Sequence, residues 1–173
     1  YDSKFVGYDS LTSMTTLRRY HINNDSIFVI LDNTPFYAES GGQIGDIGTI
    51  SGTKTKLEVL DVKKEGDTFI HICNGHFEKS DIELKCQVEI DHRESIKKNH
   101  TATHLVHRAL KNVLGEHVHQ AGSLVHADYL RFDITHFEKI SSDDVLKIER
   151  MVNEQILLNT ELHVSVMKFN DAK

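Results

Sequence analysis

Glu83-Leu84-Lys85-Cys86-Gln87-Val88-Glu89-Ile90-Asp91-His92-Arg93-Glu94-Ser95-Ile96 is the stretch in which the spacing of apolar residues changes. Leu84, Cys86, Val88 and Ile90 alternate with charged or amide side chains, the period of two of a strand with one buried and one wet face. After Asp91, the positions Ile96, Thr103, Val106, Leu110 and Val113 fall at helical spacing up to Gly115, a residue that commonly stops a helix. Asp91 and Glu94, three residues apart, have the form of a capping box. The spacing therefore predicts strands up to residue 91 and an amphipathic helix over 92–114.

The flanking sequence extends both patterns. Ser26 to Leu31 is a short apolar run ending at the turn formers Asp32-Asn33, and Leu57 to Val62 and Thr68 to Cys73 form a hairpin around Lys63-Lys64-Glu65-Gly66-Asp67. Short strands at such intervals suggest a small barrel or sandwich. Beyond the helix, Tyr129 to Ile134 alternates as a strand. Ser141 and Asp144 offer a second capping pair, ahead of a helix face of Val145, Ile148, Val152 and Ile156. Leu162, Val164 and Val166 make a last strand. The expected fold class is α+β: a glycine-rich β-barrel subdomain over 1–91, then an α/β layer over 92–173 whose sheet buries one face against its helices. No Ser/Pro-rich linker separates the halves, so they are expected to pack together.

At 173 residues and 39% hydrophobic content the chain can bury a core. Its net charge of −6 excludes a domain that grips nucleic acid by bulk electrostatics, so any RNA contact must be local. No apolar run approaches the roughly 18 residues of a membrane span, and no charged-then-apolar leader opens the chain. Cys73 and Cys86 are too few for a disulfide framework and read as buried small hydrophobes. A soluble, cytoplasmic protein with no membrane partner is expected. The first residue, Tyr1, suggests an excerpt from a longer protein.

Glu39-Ser40-Gly41-Gly42-Gln43-Ile44-Gly45-Asp46-Ile47-Gly48 is the densest glycine stretch. It lacks the Gly-Lys-Ser/Thr ending of a P-loop, which disfavours a nucleoside-triphosphate cradle. A tight turn between strands fits these glycines, and so does a loop whose backbone approaches a ligand closely. Gly-Gly-Gln is also the tripeptide with which class I release factors approach an ester on a tRNA end.

His100 and His104, four apart on the predicted helix, project from one face and can share a metal ion, with His107 nearly in line. Spacing alone proves little: with 12 histidines, chance supplies about 0.8 such pairs. What distinguishes this pair is its place on or beside the inward face, where an unpaired polar ring costs free energy. Satisfied core histidines fit the same positions. A zinc site needs about four ligands, and Cys73 with His76 could supply the other half of a closed structural site; otherwise the missing ligands lie beyond Lys173.

Taken together, Asn99 to His107 (NHTATHLVH), His117 to Val125 (HVHQAGSLV) and Leu130-Arg131-Phe132-Asp133 resemble the editing domain of the alanyl-tRNA synthetase family. Thr34 to Gln43 (TPFYAESGGQ) resembles that family's glycine-rich barrel motif, and Phe5-Val6-Gly7-Tyr8 its opening segment. The segments run in order over nearly the whole chain.

The resemblance implies an internal fragment of a synthetase that attaches alanine to its tRNA, with ATP and Mg2+ used only by the aminoacylation domain elsewhere in the full-length enzyme. This part would be the zinc-dependent region that hydrolyses mischarged seryl- or glycyl-tRNA(Ala), in a threonyl/alanyl-tRNA synthetase editing-domain-like fold. The implied partners are the tRNA(Ala) acceptor end and the remaining domains of the same synthetase. By resemblance His100 and His104 are zinc ligands. The family's later C-x-x-x-H motif is absent before Lys173, so an incomplete zinc site and weak activity are expected of these residues alone. Its cysteine follows the histidine pair, which tells against Cys73 and His76.

Gln120 matches a pocket glutamine that would hydrogen-bond the serine hydroxyl, a feature that discriminates serine from alanine far better than an apolar pocket does. Glu39 and Gln43 are the other catalytic candidates, ordering water or touching the terminal adenosine. Zinc would activate a water or position the substrate. Arg93, Lys97 and Arg108 are candidate tRNA contacts, because residues 92–111 carry a local excess of four positive charges. A solvated helix face explains those charges equally well. Two alternatives are a free-standing alanyl-tRNA editing protein and a non-catalytic zinc-stabilised RNA-binding module that uses Cys73, His76, His100 and His104.

Overall fold

The computed structural model describes residues 2–23, 26–162 and 167. Eight strands precede the first helix: β1 (Lys4–Phe5), β2 (Thr12–Asn23), β3 (Ser26–Leu31), β4 (Asn33–Thr34), β5 (Gly48–Ser51), β6 (Lys56–Glu65), β7 (Thr68–His76) and β8 (Glu83–Val88). Six close into an antiparallel barrel in the order β2-β3-β7-β6-β5-β8, with β8 pairing back onto β2, while β1 and β4 form a small parallel pair. Closure leaves the barrel no free strand edge.

Alternation fills the barrel. Ile27, Val29 and Leu31 point inward from β3, Phe69, His71 and Cys73 from β7, and Leu84, Cys86 and Val88 from β8. In β6 the register slips between Val59 and Asp61, so Leu57, Val59 and Val62 are buried while Leu60 faces water. A bulge of this kind inserts one residue and re-aims its neighbours. Both cysteines are free and buried, as read from sequence. Burial pushes each thiol up to about 12.

Among the described residues His71 is the one imidazole buried in this core. Its Nδ1 lies 3.0 Å from the Val29 carbonyl and its Nε2 2.7 Å from Thr34 Oγ1. A carbonyl only accepts, so Nδ1 carries the proton and Nε2 accepts from the threonine hydroxyl. The ring is neutral, and burial lowers its pKa to about 4.

The second half comprises α1 (Ile90–Leu114), β9 (His119–Val125), β10 (Leu130–Thr135) and α2 (Ser142–Leu158). β9 and β10 form an antiparallel ribbon beside α1, and α2 packs against α1. Gly115 ends α1 as expected. Its start differs: the N-cap is Glu89, with no side-chain cap, and Asp91 lies within the first turn. The expected Asp91–Glu94 capping box does not form, because β8 runs almost directly into the helix and Glu94 pairs with Lys97 instead. The Ser141 cap does form, its hydroxyl accepting from the Asp144 amide.

The apolar face expected on α2 is only partly covered. Ile148 and Val152 are half-buried, Val145 and Ile156 are exposed, and the helix has no buried residue. The expected last strand falls largely on residues 163–166, outside the described residues. No described helix is long and apolar enough to cross a membrane.

Candidate functional site

The two halves meet where the glycine loop reaches α1 and β9. Arg93, in the first turn of α1, is buried with its guanidinium on both oxygens of Asp46, which is itself wholly buried. It also donates to the Gly7 and Pro35 carbonyls, each at 2.9 Å. Asp46 in turn accepts from the Tyr37 amide at 2.6 Å. A buried carboxylate with this set of donors is fully compensated.

Three residues earlier, the loop crosses to the other side of the seam. The Val125 amide donates to the Gly42 carbonyl at 2.7 Å and the Ile44 amide to the Val125 carbonyl at 3.2 Å, a parallel bridge onto the end of β9. Gly42 has φ +85, and a side chain there would meet Ser123 O and Oγ at 2.5 Å. Glycine is required at this position by backbone conformation and by close approach together.

This bridge delivers Gln43, a buried side chain, to the histidines. Its Oε1 is 2.6 Å from His100 Nδ1. An amide oxygen only accepts, so Nδ1 carries the proton and Nε2 keeps its lone pair. His100 and His104, one turn apart, stack with ring centroids 5.3 Å apart and planes 16° from parallel. Burial, and then the neighbouring His104, lower the His100 pKa, which favours the neutral form a metal requires.

A His100 ring of fixed tautomer with an outer-shell acceptor, and a second imidazole one turn away, fit half of a zinc site. Among the described residues no group of three His, Cys, Asp or Glu side chains gathers to complete one. The arrangement of Cys73 and His76 with the histidine pair is therefore overturned: Cys73 lies inside the barrel, with its thiol held protonated by burial.

The other expected site residues separate into two groups. Gln120 stands on β9 beside a bulge, since Asp133 pairs with Gly122 and Ile134 with Gln120, leaving Ala121 unpaired. Its Nε2 donates to Ser123 Oγ at 3.1 Å, so Gln120, Ser123, Gly42, Gln43 and His100 form one connected chain. Arg108 is exposed on α1 and makes no ion pair among the described residues.

Glu39 is not part of this group. Its carboxylate is paired with Lys63 on the barrel surface, and Lys63 also holds Asp61. Arg93 is corrected outright: a buried guanidinium engaged by Asp46 and two carbonyls offers nothing to a phosphate. Lys97 is exposed but already bonded to Glu94 at 2.8 Å. Asp46, Ser123 and Asn99 were not singled out from the sequence. Asn99 donates to the His126 and Ala127 carbonyls and so ties the ribbon's turn to α1.

The family described as tRNA synthetases class II (A) matches residues 3–94. The alanine–tRNA ligase of Thermoanaerobacter sp. (strain X514) is 43% identical over 98% of this chain. That of Chlorobaculum tepidum is 42% identical over 88%, and that of Alkaliphilus oremlandii 48% identical over 84%. The chain spans 21%, 19% and 17% of those relatives' lengths.

Proposed function

The chain belongs to the alanine–tRNA ligase family, and within it we propose that the seam between barrel and α1 is an editing centre that hydrolyses the ester of mischarged seryl- or glycyl-tRNA(Ala). The observation that carries the proposal is the Gln43–His100 hydrogen bond at 2.6 Å, which joins the glycine loop to the histidine pair across two substructures. A structural loop needs no such contact.

Gln43 orients the His100 ring and fixes its tautomer, the part that outer-shell acceptors play at zinc sites. His100 and His104 would hold the ion, together with ligands from outside the described residues. When bound, zinc supplies Lewis acidity at the ester. Gln120 spends its Nε2 on Ser123, which leaves its carbonyl oxygen to accept from a serine hydroxyl. Alanine has no hydroxyl to offer, so this contact favours serine over the correct amino acid. Arg108 is the exposed α1 cation suited to an acceptor-stem phosphate. ATP and Mg2+ serve aminoacylation elsewhere in a full-length cytoplasmic synthetase.

The test is serine release from seryl-tRNA(Ala) by the full-length protein. The His100→Ala/His104→Ala variant is expected to lose roughly a hundredfold or more of this hydrolysis while alanine attachment continues. Undiminished hydrolysis in that variant would refute the assignment.

A further inference from the structure

A cleft of about 510 Å³ adjoins the histidine pair and shares Gln43 and His100 with it; its other walls include Tyr8, Tyr37, Glu94 and Lys97. This volume lies in the range of small-molecule sites. Its charges do not suit an anion. Lys97 is matched by Glu94, Arg93 is engaged by Asp46, and Asp9 adds a further carboxylate to the lining. What the cleft offers is an aromatic surface with hydrogen-bonding groups around it.

Tyr8 is the unusual element. Its ring is 84% exposed, yet it is held: Phe5 contacts it edge to face with centroids 4.9 Å apart and an angle of 88°. Phe5 is in turn stacked on Phe69, a buried barrel residue, at 5.8 Å and 3°. Tyr37 touches the same Phe5 ring at 6.1 Å. A large aromatic ring braced from the core and presented to solvent at a cleft is a stacking platform with little entropy left to lose on binding. Proteins that hold single-stranded RNA ends stack unpaired bases on rings of this kind.

We propose that this cleft seats the terminal nucleoside of the RNA whose ester the neighbouring site hydrolyses, with its base stacked on Tyr8. The inference rests on the editing reading above and adds to it a recognition residue outside the histidine–glutamine group. A nucleoside is uncharged, planar and rich in hydroxyls, which matches an aromatic wall flanked by paired charges. The shared residues, Gln43 and His100, then lie next to the sugar that carries the ester.

The experiment compares Tyr8→Ala, Tyr8→Phe and Tyr8→Trp with the unaltered full-length protein on seryl-tRNA(Ala). Tyr8→Ala is expected to raise KM roughly 5- to 100-fold, the range set by loss of one base stack, with kcat held within about twofold because no reacting group is removed. Tyr8→Phe and Tyr8→Trp should keep KM near its original value, since stacking needs the ring and not the hydroxyl. As a second readout, 2-aminopurine at the 3′ end of an acceptor-stem hairpin should be quenched on binding, and Tyr8→Ala should abolish the quenching. An unaltered KM in Tyr8→Ala, alongside normal hydrolysis by the parent, would overturn the placement and leave the editing reading intact. Equal damage from Tyr8→Phe would also overturn stacking. Absence of hydrolysis by the parent would remove the editing reading and this placement with it.

Discussion

In the barrel, Val29, Leu31, Phe36, Ile50 and Leu84 have no exposed surface, whereas α2 has no buried residue and leaves Leu157 83% exposed. The barrel completes its own core with its own strands. The helical half is held mainly by α1, by the ribbon's bonds to the glycine loop, and by the Arg93–Asp46 pair. The candidate site draws Gln43 from the self-sufficient region and His100 from the dependent one, so its geometry is only as firm as the seam between them.

The largest expected effect tests that contrast. Phe36→Ala should cost about 4 kcal/mol in denaturant unfolding, the price of a cavity in a closed core, while Leu157→Ala should stay within about 0.5 kcal/mol. Similar losses at the two positions would erase the distinction. Next in size is the seam itself. Arg93→Met strands the buried Asp46 carboxylate and should cost about 3 kcal/mol, whereas an exposed cation removed from α1, such as Arg108→Met, should change stability little.

Acid should then weaken the barrel before the helices. His71 is neutral when folded, with its pKa lowered to about 4 by burial, so the unfolded chain binds a proton more readily than the folded one. The stability this provides is complete above the unfolded value near 6.5 and is lost as pH falls from there to about 4. The loss is roughly 3 kcal/mol. Urea midpoints measured across that window should slope in the parent, and His71→Leu should remove most of the slope whatever its stability at neutral pH. A slope unchanged in that variant would place the acid sensitivity elsewhere. Smallest is the cap of α2, where Ser141→Ala should cost about 1 kcal/mol or less.

Elements with one wet and one dry face were legible in the sequence. β3 and β8 alternate cleanly, and the β6–β7 hairpin announces its turn with Gly66-Asp67. β2 was not legible, because Thr12–Asn23 is polar along most of its length and only Thr15 is fully buried. β9 was known only as part of a motif; the bulge at Ala121 breaks its alternation, and few of its residues are buried.

The site was legible in parts. Helical spacing brings His100 and His104 together, and the Gly-Gly-Gln tripeptide marks Gln43, but nothing local joins residues 57 positions apart. Arg93 shows the converse. In sequence it is one basic residue among several on α1. Its partner Asp46 lies 47 positions away in a glycine loop, so burial and pairing could not be read from the local pattern. The pairing of Glu39 was hidden for a related reason, since Lys63 meets it from β6.

The central claim is that barrel and helix contribute to one site, and a double-mutant cycle on seryl-tRNA(Ala) hydrolysis by the full-length protein tests it most directly. If Gln43 acts through the His100 ring, then Gln43→Ala/His100→Ala should lose no more activity than His100→Ala alone, the non-additivity expected of side chains acting as a unit. Losses that multiply, with the double variant falling to the product of the two single effects, would mean that the two residues act independently and that the seam is not a single site.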